Sequence, residues 1–194
     1  MMPVKRIGIL SVGNVLMGDD GIGAFILKTL ESRYIFPANV VLDDLGTPGL
    51  GITSFFSGYD AAILIDAVRA AGKPGDVKLY HKDQLVQIRI QPRISPHDPA
   101  LVEALLFAEL SGICPQEVLL VGIVPECCEL SCDLAPVMLQ AVETAIAAIM
   151  VELGHFHVTP RLRANSEAPF IWWNQRPSSA LPEEEPAHVF GDSR

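Results

Sequence analysis

Residues 61–65 read Ala-Ala-Ile-Leu-Ile and end on Asp66. An unbroken apolar run of this length is a strand covered on both faces, as in a parallel sheet held between two layers of helices. Residues 5–12, Lys-Arg-Ile-Gly-Ile-Leu-Ser-Val, have nearly the same character, and so does the stretch from Glu117 to Val124. Asn39–Leu45 supplies a further strand, and Gly72-Lys73-Pro74-Gly75 turns the chain into another over Asp76–Tyr80. A parallel crossover needs about a dozen residues, more than separate Asp66 from Asp76. The strand at 76–80 is therefore expected to run antiparallel.

Helical periodicity fills the spaces between. A helix is expected from Asp19 or Asp20 to about Tyr34, with Ile22, Phe25, Ile26, Thr29 and Leu30 facing inward. A short helical segment after Thr47-Pro48-Gly49 contains Leu50, Ile52 and Phe55. Asp98 as N-cap and Pro99 at the first helical position open a helix that buries Leu101, Leu105 and Ala108. The last helix is expected from about Asp133 to Leu153, with Leu134, Val137, Met138, Ala141, Ala145, Ala148 and Ile149 inward. The alternation predicts a three-layer α/β/α sandwich over residues 1–154, built on a mixed, mostly parallel five-stranded sheet. Residues 155–194 read as a Pro-rich, largely irregular tail, with Phe170-Ile171-Trp172-Trp173 as its one anchor.

Composition narrows the function. A net charge of -9, with no cluster of Lys or Arg, argues against nucleic acid as a partner. The 49% apolar content excludes a disordered chain. The four cysteines, 114, 127, 128 and 132, make no disulfide scaffold in a chain of 194 residues and fit a reducing compartment. Met1–Val12 does not read as a signal peptide and there is no apolar run of membrane-spanning length, so a cytoplasmic protein without a membrane partner is expected.

Ligands of open α/β sheets collect at the carboxyl ends of the strands. Asp20 past the first strand, Asp66 ending the third and His97 before the fourth helical segment meet that condition; Asp44 ending the second is a weaker candidate. Two carboxylates and an imidazole are suitable ligands for Ni²⁺ or Zn²⁺, and a three-ligand site keeps positions open for polarising a carbonyl or activating water. The same residues also have bland roles: Asp19 or Asp20 as a helix cap, Asp66 as a turn cap, His97 as a surface residue. Gly18-Asp19-Asp20-Gly21-Ile22-Gly23 resembles a nucleotide loop, but its acids would repel a pyrophosphate. Cys127, Cys128 and Cys132 lack the second ligand pair of a structural zinc site and read as buried thiols or a redox-sensitive loop.

Three segments together resemble the signature of the hydrogenase maturation proteases: Gly13-Asn14-Val15-Leu16-Met17-Gly18-Asp19-Asp20-Gly21-Ile22-Gly23, Ile65-Asp66-Ala67 and Ser95-Pro96-His97. Asp44-Leu45-Gly46-Thr47 is similar to that family's Asp-Gly-Gly-Thr segment, with Leu45 replacing a glycine, and Gly122–Glu126 to its Gly-Ile-x-Pro-Glu stretch. The resemblance implies a nickel-dependent endopeptidase that removes the C-terminal extension of the [NiFe]-hydrogenase large subunit precursor. It implies Asp20, Asp66 and His97 as metal ligands and Asp44 as an acid that matters for activity. It further implies nickel supplied by the precursor, with zinc or cadmium able to substitute in crystals, and a monomer or weak homodimer. Two other readings share these residues: a non-catalytic nickel-recognition or chaperone module, and a general zinc metallohydrolase.

Overall fold

The computed structural model describes residues 4–87, 101–165 and 167–174. Its elements are β1 (Ile7–Ser11), α1 (Ile22–Arg33), β2 (Tyr34–Ile35), β3 (Val40–Asp44), α2 (Ile52–Phe56), β4 (Ala61–Ala67), β5 (Val77–His81), α3 (Lys82–Gln87), α4 (Leu101–Leu110), β6 (Glu117–Ile123), α5 (Met138–His155) and β7 (Arg161–Leu162). Short 3₁₀ turns at Gly18–Gly21 and Gly49–Gly51 precede α1 and α2, and a third spans Trp172–Asn174.

The main sheet has the order β3-β1-β4-β6-β5. β3, β1, β4 and β6 are mutually parallel and β5 runs antiparallel to β6. The short 68–76 connection does impose the antiparallel direction. It delivers β5 to β6, because β1 and β6 occupy both edges of β4.

Alternation along β4 sets the layers. All seven of its residues are buried, and successive side chains point to opposite faces. Ile63 and Ile65 join Ile7, Ile9, Ile26, Ala145 and Ile149 in a core under α1 and α5. Ala62 and Leu64 join Leu10, Phe56, Leu85 and Leu105 in a second core under α2, α3 and α4. The result is the mixed five-stranded α/β/α sandwich expected from the sequence.

Helix boundaries differ where side chains intercept the backbone. α1 begins at Ile22 because Asp19 and Asp20 sit in a 3₁₀ turn, where Asp20 N–H donates to the Met17 carbonyl at 3.1 Å. α5 begins at Met138, not near Asp133: the Ala135 N–H donates to the Asp19 carboxylate, and the Ala135 and Pro136 carbonyls accept from Met138 and Leu139 in a tight turn that leads into the helix. Within α2, Ile52 and Phe56 are buried while Phe55 is exposed. α3 follows β5 directly and carries Leu85 into the second core, an element too short to show periodicity in the sequence. The proposed N-cap Asp98 lies outside the described residues.

Sequence reasoning singles out the aromatic patch alone as docking after α5. In the structure it is Val158 that is buried in the α1/α5 core and β7 that pairs antiparallel with β2, while Phe170 and Trp172 are exposed. The chain then follows α1 to Asn174, whose side-chain amide donates to Asp133 at 2.9 Å. Trp172 and Trp173 meet edge to face at 5.6 Å.

Candidate functional site

The loop leaving β1 is stitched to the ends of both flanking strands. Val12 N–H donates to the Ile65 carbonyl and Gly13 N–H to the Gly46 carbonyl, each at 2.9 Å. Gly13 has a φ of 144°, and a Cβ added there would lie 1.9 Å from the Asp20 carbonyl oxygen. Only glycine permits that crossing. Gly13→Ala is therefore expected to destabilise the protein by more than about 2 kcal/mol, read as a fall in thermal midpoint of about 6 °C. An unchanged midpoint would show that the loop can take another path.

The two adjacent acids of this loop have different tasks. Asp20 is half-buried, and its Oδ2 accepts the Asn14 N–H at 2.7 Å, leaving Oδ1 for another partner. Asp19 is 1% exposed. Its Oδ2 accepts the N–H groups of Glu126 at 2.9 Å and Cys127 at 3.0 Å, and its Oδ1 that of Ala135 at 2.7 Å. Asp19 thus clamps the loop after β6 against the loop after β1. Neither acid caps α1, whose N-cap is Gly21 without a side-chain bond. Sequence reasoning missed the clamp, since a pair of acids on a turn does not reveal which one turns inward.

Asp66 is 6% exposed, next to last in β4 and in register with Gly122 of β6. By the pleat it shares the face of Ala62 and Leu64, the α4 side of the sheet. Asp44 shares the opposite face with Ser11, its register partner, whose hydroxyl donates to Asp44 Oδ1 at 2.8 Å. Gly46 N–H donates to the same oxygen at 3.3 Å. The structure therefore brings Asp20, Asp44 and Asp66 to one edge of the sheet, with Asp44 and Asp66 on opposite faces of it. His97 lies outside the described residues.

Among the described residues no group of three or more His, Cys, Asp or Glu side chains is placed to hold a metal ion. The donors Asp20 and Asp66 suit a borderline divalent cation in type, and a third has to join them. The cysteines are not buried: Cys127 is exposed and Cys114, Cys128 and Cys132 are partly so. Partial burial, and after it the Asp20 and Asp19 carboxylates, push the Cys128 thiol up to about 11. At neutral pH it is a thiol and not the thiolate that metals prefer.

β1 lies between β3 and β4 in a parallel sheet, and the acids sit where the chain departs to either side, the switch point at which open α/β sheets take their ligands. Known proteins agree with this geometry. The sequence profile of the hydrogenase maturation protease family (HycI) matches residues 25–152. The hydrogenase 2 maturation protease of Escherichia coli (strain K12) is 32% identical over 148 residues, 76% of this chain and 90% of that protein. The hydrogenase expression/formation protein HupM of Azotobacter chroococcum mcd 1 is 33% identical over 190 residues, 96% of this chain and 91% of that one. The solved structure of the E. coli hydrogenase maturating endopeptidase HybD superposes with a TM-score of 0.75 at 31% identity, over 82% of this chain and 98% of that one. The chain belongs to the hydrogenase maturation protease family.

Proposed function

We infer that this protein is a metal-dependent endopeptidase that removes the C-terminal extension from the nickel-loaded large subunit precursor of a [NiFe]-hydrogenase. In this reading Asp20, Asp66 and His97 contact the nickel that the precursor carries, and Asp44 orients water or accepts a proton. Family membership is the observation that carries it. We assign the protease domain to residues 1–154, with the chain after α5 packed on it through Val158 and β7. Among the described residues no helix is long and apolar enough to cross a membrane. The four free cysteines support placing the reaction in the cytoplasm.

The chain's own residues suit these roles. Asp66 is held by burial within the strand ladder, so its carboxylate has little freedom to lose on meeting a cation. Asp20 is oriented by the Asn14 N–H and keeps one oxygen for a ligand. His97 precedes α4 by only a few residues. α4 ends at Leu110 and residues 111–116 lead into the start of β6, so α4 begins toward the carboxyl edge where the acids are. Asp44 is exposed, and Ser11 and Gly46 fix one of its oxygens, leaving the other to face water. Bound nickel supplies Lewis-acid polarisation of the scissile carbonyl.

The test is direct. Purified protein is incubated with nickel-loaded and with nickel-free precursor, and the products are weighed by mass spectrometry. Loss of the extension from the loaded form alone is expected. Equal cleavage of the nickel-free form would overturn the reading.

A further inference from the structure

α4 is apolar on nearly all sides. It reads Leu-Val-Glu-Ala-Leu-Leu-Phe-Ala-Glu-Leu, with Glu103 and Glu109 its only charged residues. A helix apolar all round belongs between two covering surfaces, whereas one covered on a single face carries polar residues on the other. Ala104, Leu105 and Ala108 are buried in the second core. Leu106, Phe107 and Leu110, at helical spacing on the opposite side, face outward. Phe107 is 57% and Leu110 89% exposed. α2 and the 3₁₀ turn before it pack beside α4, and they add the exposed Phe55 and Leu50 to this side of the sheet. Single exposed apolar residues are ordinary, but a group of them on one side marks an interface.

Position and charge indicate the occupant. Leu50 follows Asp44 by six residues, and α4 runs from the carboxyl edge of the sheet toward Leu110. One side of an ordinary protein–protein interface covers about 800 Å², so it reaches about 15 Å from its centre. A precursor held at Asp20 and Asp66 by its nickel therefore spreads past the edge by about the 15 Å length of α4. On the other face of the sheet, the chain after α5 already runs along α1. Two copies of this chain, each of net charge -9, repel one another. The nickel contact is alike in every loaded precursor, so choosing one large subunit requires contacts away from the metal.

We propose that the outward face of α4, with Leu50 and Phe55 beside it, docks an apolar patch on the folded body of the large subunit precursor and so selects which precursor is processed. This rests on the protease reading above and adds a recognition surface remote from the bond that breaks. Its residues touch neither the metal nor the scissile peptide, so their effect falls on KM.

The full-length protein, its Phe107→Ser/Leu110→Ser double variant and a Val151→Ser control are assayed on nickel-loaded precursor. Val151 is also exposed, but on α5 across the sheet. For the double variant KM is expected to rise about tenfold, with kcat within about twofold of wild type. Its thermal midpoint should not move, and the control should match wild type. If wild-type protein cleaves the precursor and the double variant does so with unchanged KM, the docking surface is refuted and the protease reading stands. An equal rise of KM in the control would refute it too, as a general effect of lost apolar surface. A midpoint lowered by more than about 4 °C in the double variant would overturn it by showing that the protein's own chain covers α4. Sedimentation of wild-type protein as a dimer that the double variant cannot form would assign the face to a second copy instead. If wild-type protein cleaves no loaded precursor, both readings fall.

Discussion

Asp66→Asn is expected to slow precursor cleavage by about a thousandfold while the protein stays folded. The change keeps the shape of a side chain that is 6% exposed, so little repacking follows; it removes the negative charge and turns one acceptor oxygen into an NH₂ donor. A neutral amide is a poor ligand for a divalent cation. Charge stabilisation at a metal site is worth several kilocalories per mole, and about 4 kcal/mol corresponds to the thousandfold loss. The readout is the rate at which the precursor loses mass, alongside a thermal midpoint that moves by no more than about 4 °C. His97→Ala should fall to the same level, since in the proposed assignment each removes one of three contacts to the same ion. Cleavage by either variant within tenfold of wild type would strike that residue from the site.

The second large effect is on stability. Asp19→Ala strips three backbone N–H groups of the acceptor that joins two loops at the carboxyl edge of the sheet, at 2.7, 2.9 and 3.0 Å. A buried donor left without an acceptor costs about 1–3 kcal/mol. Water entering the space left by the carboxylate offsets part of this, so a net loss of about 4 kcal/mol is expected, or about 12 °C in thermal midpoint. Asp19→Asn should fall between the two, because its amide oxygen still accepts while its NH₂ meets a donor. Thermal unfolding followed by circular dichroism measures both. A drop below about 3 °C for Asp19→Ala would show that the loop after β6 is held by something else.

These predictions assign opposite roles to neighbouring acids, and nothing in Gly18-Asp19-Asp20-Gly21 distinguishes them. The acid facing inward is the one whose oxygens meet the N–H groups of Glu126, Cys127 and Ala135, more than a hundred residues along the chain. β5 likewise found β6 because the edges of β4 were already taken, a matter of sheet order that no local window records. The docking of Val158 and β7 against the α1 side was hidden for the same reason, since a two-residue strand has no periodicity to read.

The sequence by itself determined the layered architecture, the antiparallel direction of β5 and the arrival of Asp20, Asp44 and Asp66 at one edge. Each follows from local matters: apolar runs that need cover on both faces, a connection too short to cross over, and acids placed where strands end. Only the tertiary structure decided which acid clamps and which stays available, and that Asp44 and Asp66 project from opposite faces. Those outcomes depend on backbone groups distant in sequence competing for the same acceptors and on the pleat that sends alternate side chains to opposite sides.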